Sequence, residues 1–289
     1  MGQRLAGWLE IHKEAGHAGH NRPDLSAFTV TKVFIRTRRF RKVSMTAVAD
    51  VSLSLSPGRV TALVGQSGSG KSTIAKMITG IERPPSGAIQ FGELRADRLR
   101  GRTLKDYRRN IQMVFQDPFS SLNPALSVAY ILGRPLRNYL GLTGKAQRTR
   151  ILELLDSVGR TPVERYAGML PHQMYGGQRQ RVVIARALAP EPKILVADEP
   201  ISMLDVSIRA ELLQLLDGIV RDRQIAMLYI THDLLSARLI ADDMLVLNTG
   251  RVVERGPVRE VISQPTDAYT RLLLDSIPWP YAATDVAAD

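Results

Sequence analysis

The sequence predicts an α/β fold built around a largely parallel β-sheet. Short β-branched runs alternate with segments of helical periodicity, which is the pattern of strands joined by crossover helices. One glycine-rich loop, residues 65–72, lies between such a strand and such a helix. A long stretch from Pro118 to Tyr175 contains no convincing strand, and it predicts a helical insertion.

The predicted elements begin at Phe28, and residues 1–25 are expected to form an N-terminal extension. Pro57 and Gly58 predict a turn between the second and third strands. The predicted strands are residues 28–33, 47–55, 60–64, 111–115, 194–198, 225–231 and 244–247. The predicted helices are residues 71–79, 146–158, 178–188, 206–220 and 234–240.

The composition excludes several classes of protein and of functional site. The 289 residues include 39 Lys and Arg against 28 Asp and Glu, a formal net charge of +11, and no cysteine. The absence of cysteine excludes disulfide scaffolds, thiolate zinc sites, iron–sulfur clusters and cysteine nucleophiles. No apolar run reaches the ~18 residues that span a bilayer, and no signal-peptide core is present, so we expect a soluble protein of a reducing compartment. The charge favours an anionic partner, either nucleic acid or a membrane surface.

Residues 65–72 read Gly-Gln-Ser-Gly-Ser-Gly-Lys-Ser and fit the phosphate-loop pattern without a mismatch. The glycines let backbone N–H groups turn toward a phosphate at the N-terminus of the following helix. Lys71 is expected to reach the β- and γ-phosphates, and the Ser72 hydroxyl to bind Mg²⁺. A chance glycine-rich turn is disfavoured because strand, loop and helix come in the right order. The expected nucleotide-binding residues are Gly65, Ser67, Gly68, Ser69, Gly70, Lys71, Ser72 and Thr73.

Two carboxylates, Asp198 and Glu199, end a buried-type strand. Such a pair is more often a solvated turn or a helix cap, but beside a phosphate loop the catalytic interpretation is favoured. Asp198 is then expected to hold Mg²⁺, and Glu199 to polarise the attacking water as a general base. Asp205 allows two interpretations, a nucleotide contact or the N-cap of the next helix.

A second candidate anion site lies more than a hundred residues from the first. Residues 174–178 read Met-Tyr-Gly-Gly-Gln and lead directly into a predicted helix. Two such loops in one chain make sense if each completes its site on a different molecule. Here the chain resembles the ATP-binding subunits of ABC transporters, whose signature loop normally reads Leu-Ser-Gly-Gly-Gln. In that family two subunits stack head to tail, and each ATP lies between one phosphate loop and the partner's signature loop.

The resemblance implies an architecture for most of the chain. It is that of a P-loop NTPase: a RecA-like core with an antiparallel β subdomain and an inserted ABC α-helical subdomain. The ABC domain is expected over residues 26–262, with the helical subdomain at about 118–176. Residues 109–124, and residues 265–278 within the C-terminal tail, 263–289, are similar to the oligopeptide, dipeptide and nickel importer branch of the family.

The resemblance also implies roles for single residues. Gln116 matches the loop glutamine that touches Mg²⁺ and senses the membrane partner, and His232 matches the switch histidine that contacts the γ-phosphate. Phe34 is the first candidate for the aromatic ring that stacks on adenine, with Phe40 as its competitor. The expected contacts from the signature loop and the D-loop are Tyr175, Gly176, Gly177, Gln178 and Asp205.

Tyr175 departs from the family pattern, because the family has serine at this position. Losing the serine hydroxyl removes a hydrogen bond to the γ-phosphate, which costs ~1.5–3 kcal/mol. Gly176 and Gly177 still offer their N–H groups, so we expect an impaired site rather than an inactive one. The hypothesis is that this chain forms a heterodimer with a second ABC ATPase subunit and that the two ATP sites are unequal.

The expected function is the ATP-binding subunit of a bacterial importer for a peptide-like or metal-chelate substrate. Such a subunit lies on the cytoplasmic face of the inner membrane, with two membrane-spanning permease subunits and an extracytoplasmic substrate-binding protein. One alternative is a non-transport ABC ATPase docked on a soluble enzyme complex of the carbon–phosphorus lyase type. A regulatory clamp that binds ATP with little hydrolysis is permitted by Tyr175 but disfavoured by Glu199. No nucleic acid is expected. DNA-repair relatives need zinc-binding cysteines or long coiled coils, and translation-factor relatives have two phosphate loops in one chain, whereas this sequence has none of these features.

Overall fold

Two β-sheets organise the part of the chain that the structure describes. This computed structural model describes residues 25–38 and 41–276, with side chains over residues 47–276. The strands are β1 Leu25–Arg38, β2 Arg41–Leu55, β3 Val60–Val64, β4 Ser86–Phe91, β5 Leu94–Arg95, β6 Ile111–Val114, β7 Ile194–Asp198, β8 Ala226–Thr231, β9 Asp243–Asn248 and β10 Arg251–Pro257. The helices are α1 Lys71–Ile78, α2 Gly101–Asn110, α3 Pro118–Ser121, α4 Val128–Leu140, α5 Gly144–Ser157, α6 Val163–Gly168, α7 Gly176–Leu188, α8 Val206–Arg223, α9 Leu234–Ile240, α10 Val258–Ser263 and α11 Ala268–Asp275.

The six-stranded sheet has the order β10-β9-β3-β8-β7-β6. Its strands pair in parallel except for β10, which pairs antiparallel with β9 at one edge. The central strands β3, β7 and β8 are buried along their whole length. Burial on both faces explains why they are continuous apolar runs, as expected for parallel strands covered by helices on each side.

The second sheet is antiparallel, with the order β2-β1-β4-β5. Helix α1 lies between the two sheets, where Ile74, Met77 and Ile78 join a core cluster with strand residues of both. This packing fixes the helix that leaves the phosphate loop. The predicted fold class, an α/β core with an antiparallel β subdomain and a helical insertion, is confirmed.

Helices α3 to α6 follow β6 and precede α7, where the sequence predicts an insertion without strands. Their apolar faces pack with α7 in the larger core cluster, which includes Leu132, Leu136, Leu154 and Leu155. Sequence reasoning missed β4, β5, β10, α2, α10 and α11, most of which are short elements in the β subdomain or after the last predicted strand. The N-terminal extension expected at residues 1–25 lies outside the described residues up to residue 24.

The parallel sheet brings four distant segments to one edge. Gly65 follows β3, Glu199 follows β7 and His232 follows β8, while Gln116 lies two residues beyond β6. Ligands of open α/β sheets bind at the carboxyl ends of the strands, because loops from neighbouring strands meet there. The edge formed by these loops is therefore the candidate functional site.

Candidate nucleotide-binding site

The phosphate loop, residues 65–72, turns between β3 and α1 as predicted. Gly65 and Gly70 are packed against backbone: a Cβ on Gly65 would lie 2.2 Å from the carbonyl oxygen of Leu247, and one on Gly70 would lie 2.3 Å from that of Ala47. Gly70 also has a φ of 108°, a region that L side chains rarely adopt. Side chains at these two positions are excluded, so the loop backbone can curl closely around an anion.

Lys71 is buried at 6% exposure at the start of α1. Its Nζ donates to the carbonyl oxygens of Gly65 at 2.6 Å and Gln66 at 2.9 Å. Burial lowers the pKa of Lys71, while the carboxylates of Glu199 and Asp198 act in the opposite direction. The ammonium group is thus held under the loop beside two acids, where it can meet the phosphates of a nucleotide.

Asp198 is the last residue of β7 and is buried at 8% exposure. Burial raises its pKa, although a hydrogen bond with the Ser72 side chain and the charge of Lys71 oppose the increase. A hydroxyl and a carboxylate in contact offer the oxygen ligands that Mg²⁺ prefers. The buried Oγ of Ser69 in the same loop has no hydrogen-bond partner among the described residues. This donor set fits a magnesium nucleotide.

Glu199 connects two other predicted site residues. Its Oε2 accepts a hydrogen bond from Gln116 Nε2 at 2.9 Å, and its Oε1 lies 3.0 Å from His232 Nδ1. A carboxylate only accepts, so Nδ1 is the donor in this contact. Glu199 has a φ of 46°, unusual for a residue with a side chain, and its N–H donates to Ile230 O at 2.9 Å. The arrangement orients one carboxylate at the end of the sheet, as a general base requires.

A cavity of about 550 Å³ lies over this edge of the sheet. Ala47 and Thr249 also line it, and sequence reasoning missed both. Thr249 has a φ of 43° in a two-residue turn with Gly250 between β9 and β10, and Asn-Thr-Gly between apolar runs is a signal that could have found it. Ala47 lies in a strand and carries no such signal. The predicted residues that line the cavity are Ser67, Gly68, Gly70, Lys71, Ser72, Thr73, Gln116 and Glu199.

The signature loop, residues 174–178, lies at the N-terminus of α7. Tyr175 is 81% exposed, and its backbone N–H donates a hydrogen bond to Gln178 Oε1 at 3.1 Å. Gln178 Nε2 in turn donates to the Tyr166 hydroxyl at 3.0 Å. Among the described residues, none from this loop lines the phosphate-loop cavity of its own chain. The second candidate anion site is therefore separate from the first.

The D-loop, residues 202–205, packs beside the signature loop. A Cβ on Gly176 would lie 3.2 Å from Leu204 Cδ2, so the Leu204 side chain packs against the backbone at Gly176. Met203 is 54% exposed and Val206 is 80% exposed. Asp205 occupies the N-cap position of α8 but makes no capping hydrogen bond through its side chain. Together with Tyr175, these residues form an exposed and partly apolar surface on two adjoining loops.

Phe34 lies in β1 opposite Met45 of β2. The side chains of Phe34 and of Phe40 lie outside the described part of the structure, so the expected adenine contact stays a prediction.

Comparisons with known proteins identify the family. The model of the ABC transporter family matches residues 48–202, which contain the phosphate loop, the signature loop and the two strand-end carboxylates. The chain belongs to the ABC transporter family. As an ABC ATPase it binds and hydrolyses ATP. Within the described ranges, 25–38 and 41–276, no helix of this ABC protein has the length and apolar character needed to cross a membrane.

Two curated relatives cover most of this ABC protein. The oligopeptide transport ATP-binding protein OppF of Lactococcus lactis is 42% identical over 248 residues, 84% of this chain and 76% of OppF. The glutathione import ATP-binding protein GsiA of Escherichia coli K12 is 41% identical over 251 residues, 86% of this chain and 40% of GsiA.

Solved structures of ABC cassettes share the fold. The dimeric post-hydrolysis state of the cassette MJ0796 bound to ADP and Pi superposes with a TM-score of 0.71 at 31% identity, covering 81% of this chain and 99% of that one. The structure of cbiO1 from Clostridium perfringens, part of the cbiONQ transporter complex, gives a TM-score of 0.72 at 30% identity, covering 84% and 92%.

Proposed function

We propose that this chain is the ATP-binding subunit of an importer whose substrate is peptide-like. Both curated relatives described above are named for peptide-like cargo, an oligopeptide in one case and glutathione in the other. Their names favour import over the alternative of an ATPase docked on a soluble enzyme complex. The observation that carries the catalytic part is the contact of Glu199 with both Gln116 and His232, at the sheet edge that also bears Lys71.

Different side chains at this edge bind the phosphates, hold Mg²⁺ and accept the proton during hydrolysis. Backbone N–H groups of the phosphate loop and the Lys71 ammonium bind the β- and γ-phosphates. Ser72, Asp198 and Gln116 supply oxygen ligands for Mg²⁺, which neutralises charge on the phosphates when it is bound. Glu199 accepts a proton from the attacking water, and His232 holds the carboxylate in orientation through Nδ1.

The active unit that we propose is a head-to-tail pair of ATP-binding subunits. The signature loop does not line the phosphate-loop cavity of its own chain, and the exposed, partly apolar surface around Tyr175, Met203 and Val206 is suited to contact with a partner. The related MJ0796 cassette has been solved as a dimer with ADP and Pi. In such a pair each ATP contacts the phosphate loop of one subunit and the signature loop of the other.

A second cavity, of about 990 Å³, lies between the β6 edge of the sheet and helix α4. Ile81, Phe115 and Tyr130 line it and are each about half exposed. Arg108, Arg134 and Arg186 also line the groove. A groove that combines apolar side chains with basic ones suits a short amphipathic helix from a membrane-spanning permease subunit. Phe115 precedes Gln116, so an occupant of the groove would press on the segment that carries the hydrogen bond to Glu199. We propose this groove as the permease contact at the cytoplasmic face of the membrane.

Tyr175 favours a heterodimer in which this chain pairs with a second ABC ATPase of ordinary signature. A phenol in place of a small hydroxyl adds bulk at the helix N-terminus and cannot donate to a γ-phosphate from the serine position. The phosphate loop, Glu199 and His232 of this chain then hydrolyse ATP against the partner's signature loop. The site that uses Tyr175 turns over slowly.

The proposal is tested by purifying the tagged chain from membranes of its host and reconstituting what co-purifies in liposomes. We expect permease subunits, an extracytoplasmic binding protein and a second ATPase subunit, with ATP-dependent uptake of a labelled oligopeptide or glutathione. Uptake of a nickel chelate instead would redirect the substrate class. Co-purification of only soluble enzymes would overturn the import function, and a complex with two copies of this chain would overturn the heterodimer.

A further inference from the structure

The C-terminal tail segment, residues 264–276, reaches the phosphate loop. The backbone N–H of Gln66, the second residue of that loop, donates to the hydroxyl of Tyr269 at 3.1 Å. Tyr269 lies on α11, more than two hundred residues away along the chain. Sequence reasoning assigned this segment only to a branch of the family and gave it no place at the nucleotide.

The tail segment is anchored, so the position of Tyr269 is fixed. Leu274 of α11 is buried in the larger core cluster, and the ring of Tyr269 packs against the same cluster. Before the helix, Glu254 of β10 accepts hydrogen bonds from the N–H and the hydroxyl of Thr266, at 2.7 and 2.9 Å. Burial acts to raise the pKa of Glu254, but these hydrogen bonds hold it below the ordinary value. The carboxylate is therefore ionised at neutral pH and holds the start of the tail segment.

The peptide groups of Gln66 connect the tail segment to the catalytic lysine. Its carbonyl oxygen accepts from Lys71 Nζ at 2.9 Å and from the N–H of Ser69 at 3.2 Å, while its N–H is held by Tyr269. On the other side of the loop, the N–H of Gly250 donates to Ser69 O at 2.9 Å. The loop is thus held from two sides by elements that come late in the chain.

We propose that Tyr269 is a positioning residue for nucleotide binding, which acts by fixing the Gln66 end of the phosphate loop. An anion-binding loop has highest affinity when its N–H groups are already oriented before the ligand arrives, because no ordering cost remains to be met. The Tyr269 hydroxyl supplies this orientation without touching the nucleotide. The inference depends on ATP binding alone and is independent of the transported substrate and of the heterodimer.

Tyr269→Phe tests the proposal, because it removes the hydroxyl and keeps the ring that packs on the core. In the purified full chain we expect affinity for a fluorescent ATP analogue to fall by about 3- to 10-fold, the effect of one lost hydrogen bond. Hydrogen–deuterium exchange without nucleotide should accelerate in the peptide that contains residues 65–71. Unchanged affinity together with unchanged exchange would overturn the proposal.

Tyr107→Phe is the matched control, since the buried Tyr107 hydroxyl donates to Ile78 O at 2.6 Å, away from Gln66. It should lower the melting temperature and leave the affinity unchanged. Glu254→Ala loosens the tail segment, so it should weaken nucleotide binding, and the double variant with Tyr269→Phe should bind as Tyr269→Phe does. A role that is merely structural predicts the contrary results: affinity that follows melting temperature in all variants, and additive losses in the double variant.

Discussion

The phosphate loop and the signature loop both begin helices, yet their surroundings differ. In the first, Lys71 is buried and hydrogen-bonded, and Gly65 is packed against the backbone of Leu247. In the second, Tyr175 is 81% exposed, and Gly177 is packed against the side chain of Ile208. The phosphate loop is held in place by its own chain. In the head-to-tail pair that we propose, the signature loop is one half of a site whose other half comes from the partner.

This difference has consequences for how each loop tolerates change. A residue of the phosphate loop is fixed by β3, α1, the β9–β10 turn and α11, so its replacement affects both folding and chemistry. Tyr175 projects from the surface, so its replacement leaves the fold of the isolated chain nearly unchanged. Departures from the family pattern are therefore easier at the signature loop, which is where this sequence has one.

The largest effect is expected at the phosphate-loop side, from Glu199→Gln. The amide keeps the size of the side chain but cannot accept the proton of the attacking water, so ATP hydrolysis should fall by about 10²- to 10⁴-fold. ATP binding should stay within a few-fold, which separates this variant from a folding defect. Single-turnover hydrolysis in the assembled complex measures the rate.

Glu211→Gln is the matched control, because Glu211 is an exposed carboxylate on α8 that pairs with Arg181. It should change the rate by less than about twofold, because the Glu211 side chain is 64% exposed and pairs with Arg181 rather than with a residue of the candidate site. Hydrolysis by Glu199→Gln at close to the normal rate would show that the base lies elsewhere and would remove the catalytic contrast between the two loops.

A smaller effect in the opposite direction is expected from Tyr175→Ser. The hydroxyl restores one hydrogen bond to a charged group, so turnover at the site that uses this loop should rise by about 10-fold or more in the full complex. The melting temperature of the isolated chain should stay nearly constant because the position is exposed. Tyr175→Ala removes the same bulk without supplying a hydroxyl, and it should recover only a part of the increase. Equal rates in the unmodified protein, Tyr175→Ser and Tyr175→Ala would mean that Tyr175 does not slow either ATP site, and this would contradict the proposal of two unequal sites.

Sequence reasoning predicted the fold class and named candidate site residues, but it did not predict the contacts between them. The strand that enters the phosphate loop and the acidic end of β7 could be predicted from the sequence, because buried parallel strands are continuous apolar runs. The contact of Glu199 with Gln116 and His232 depends on the strand order β8-β7-β6, which spacing alone does not give. The hydrogen bond from Gln66 to Tyr269 carries no local signal at all, because it arises only when α11 packs on the core.

The smallest effect is expected on the free energy of unfolding, when a glycine of either loop is replaced by alanine. A Cβ on Gly177 would lie 2.6 Å from Ile208 Cγ2. A Cβ on Gly68 would meet no atom within 4 Å, but the backbone there has a φ of 81°, which L side chains rarely adopt. Both Gly177→Ala and Gly68→Ala should lower the free energy of unfolding by about 1–2 kcal/mol, by overpacking in the first case and by backbone strain in the second. Urea denaturation of the nucleotide-free chain measures both.

Ile208→Ala distinguishes the two causes, because it removes the Cγ2 that the new methyl group would strike. Combined with Gly177→Ala, it should recover most of the stability that this substitution costs, relative to Ile208→Ala alone. Combined with Gly68→Ala, it should recover none, since no side chain can relieve an unfavourable φ. Recovery in neither pair would mean that Gly177, like Gly68, is constrained by its backbone conformation rather than by Ile208. The contrast between the two loops would then depend on the exposure of Tyr175 alone.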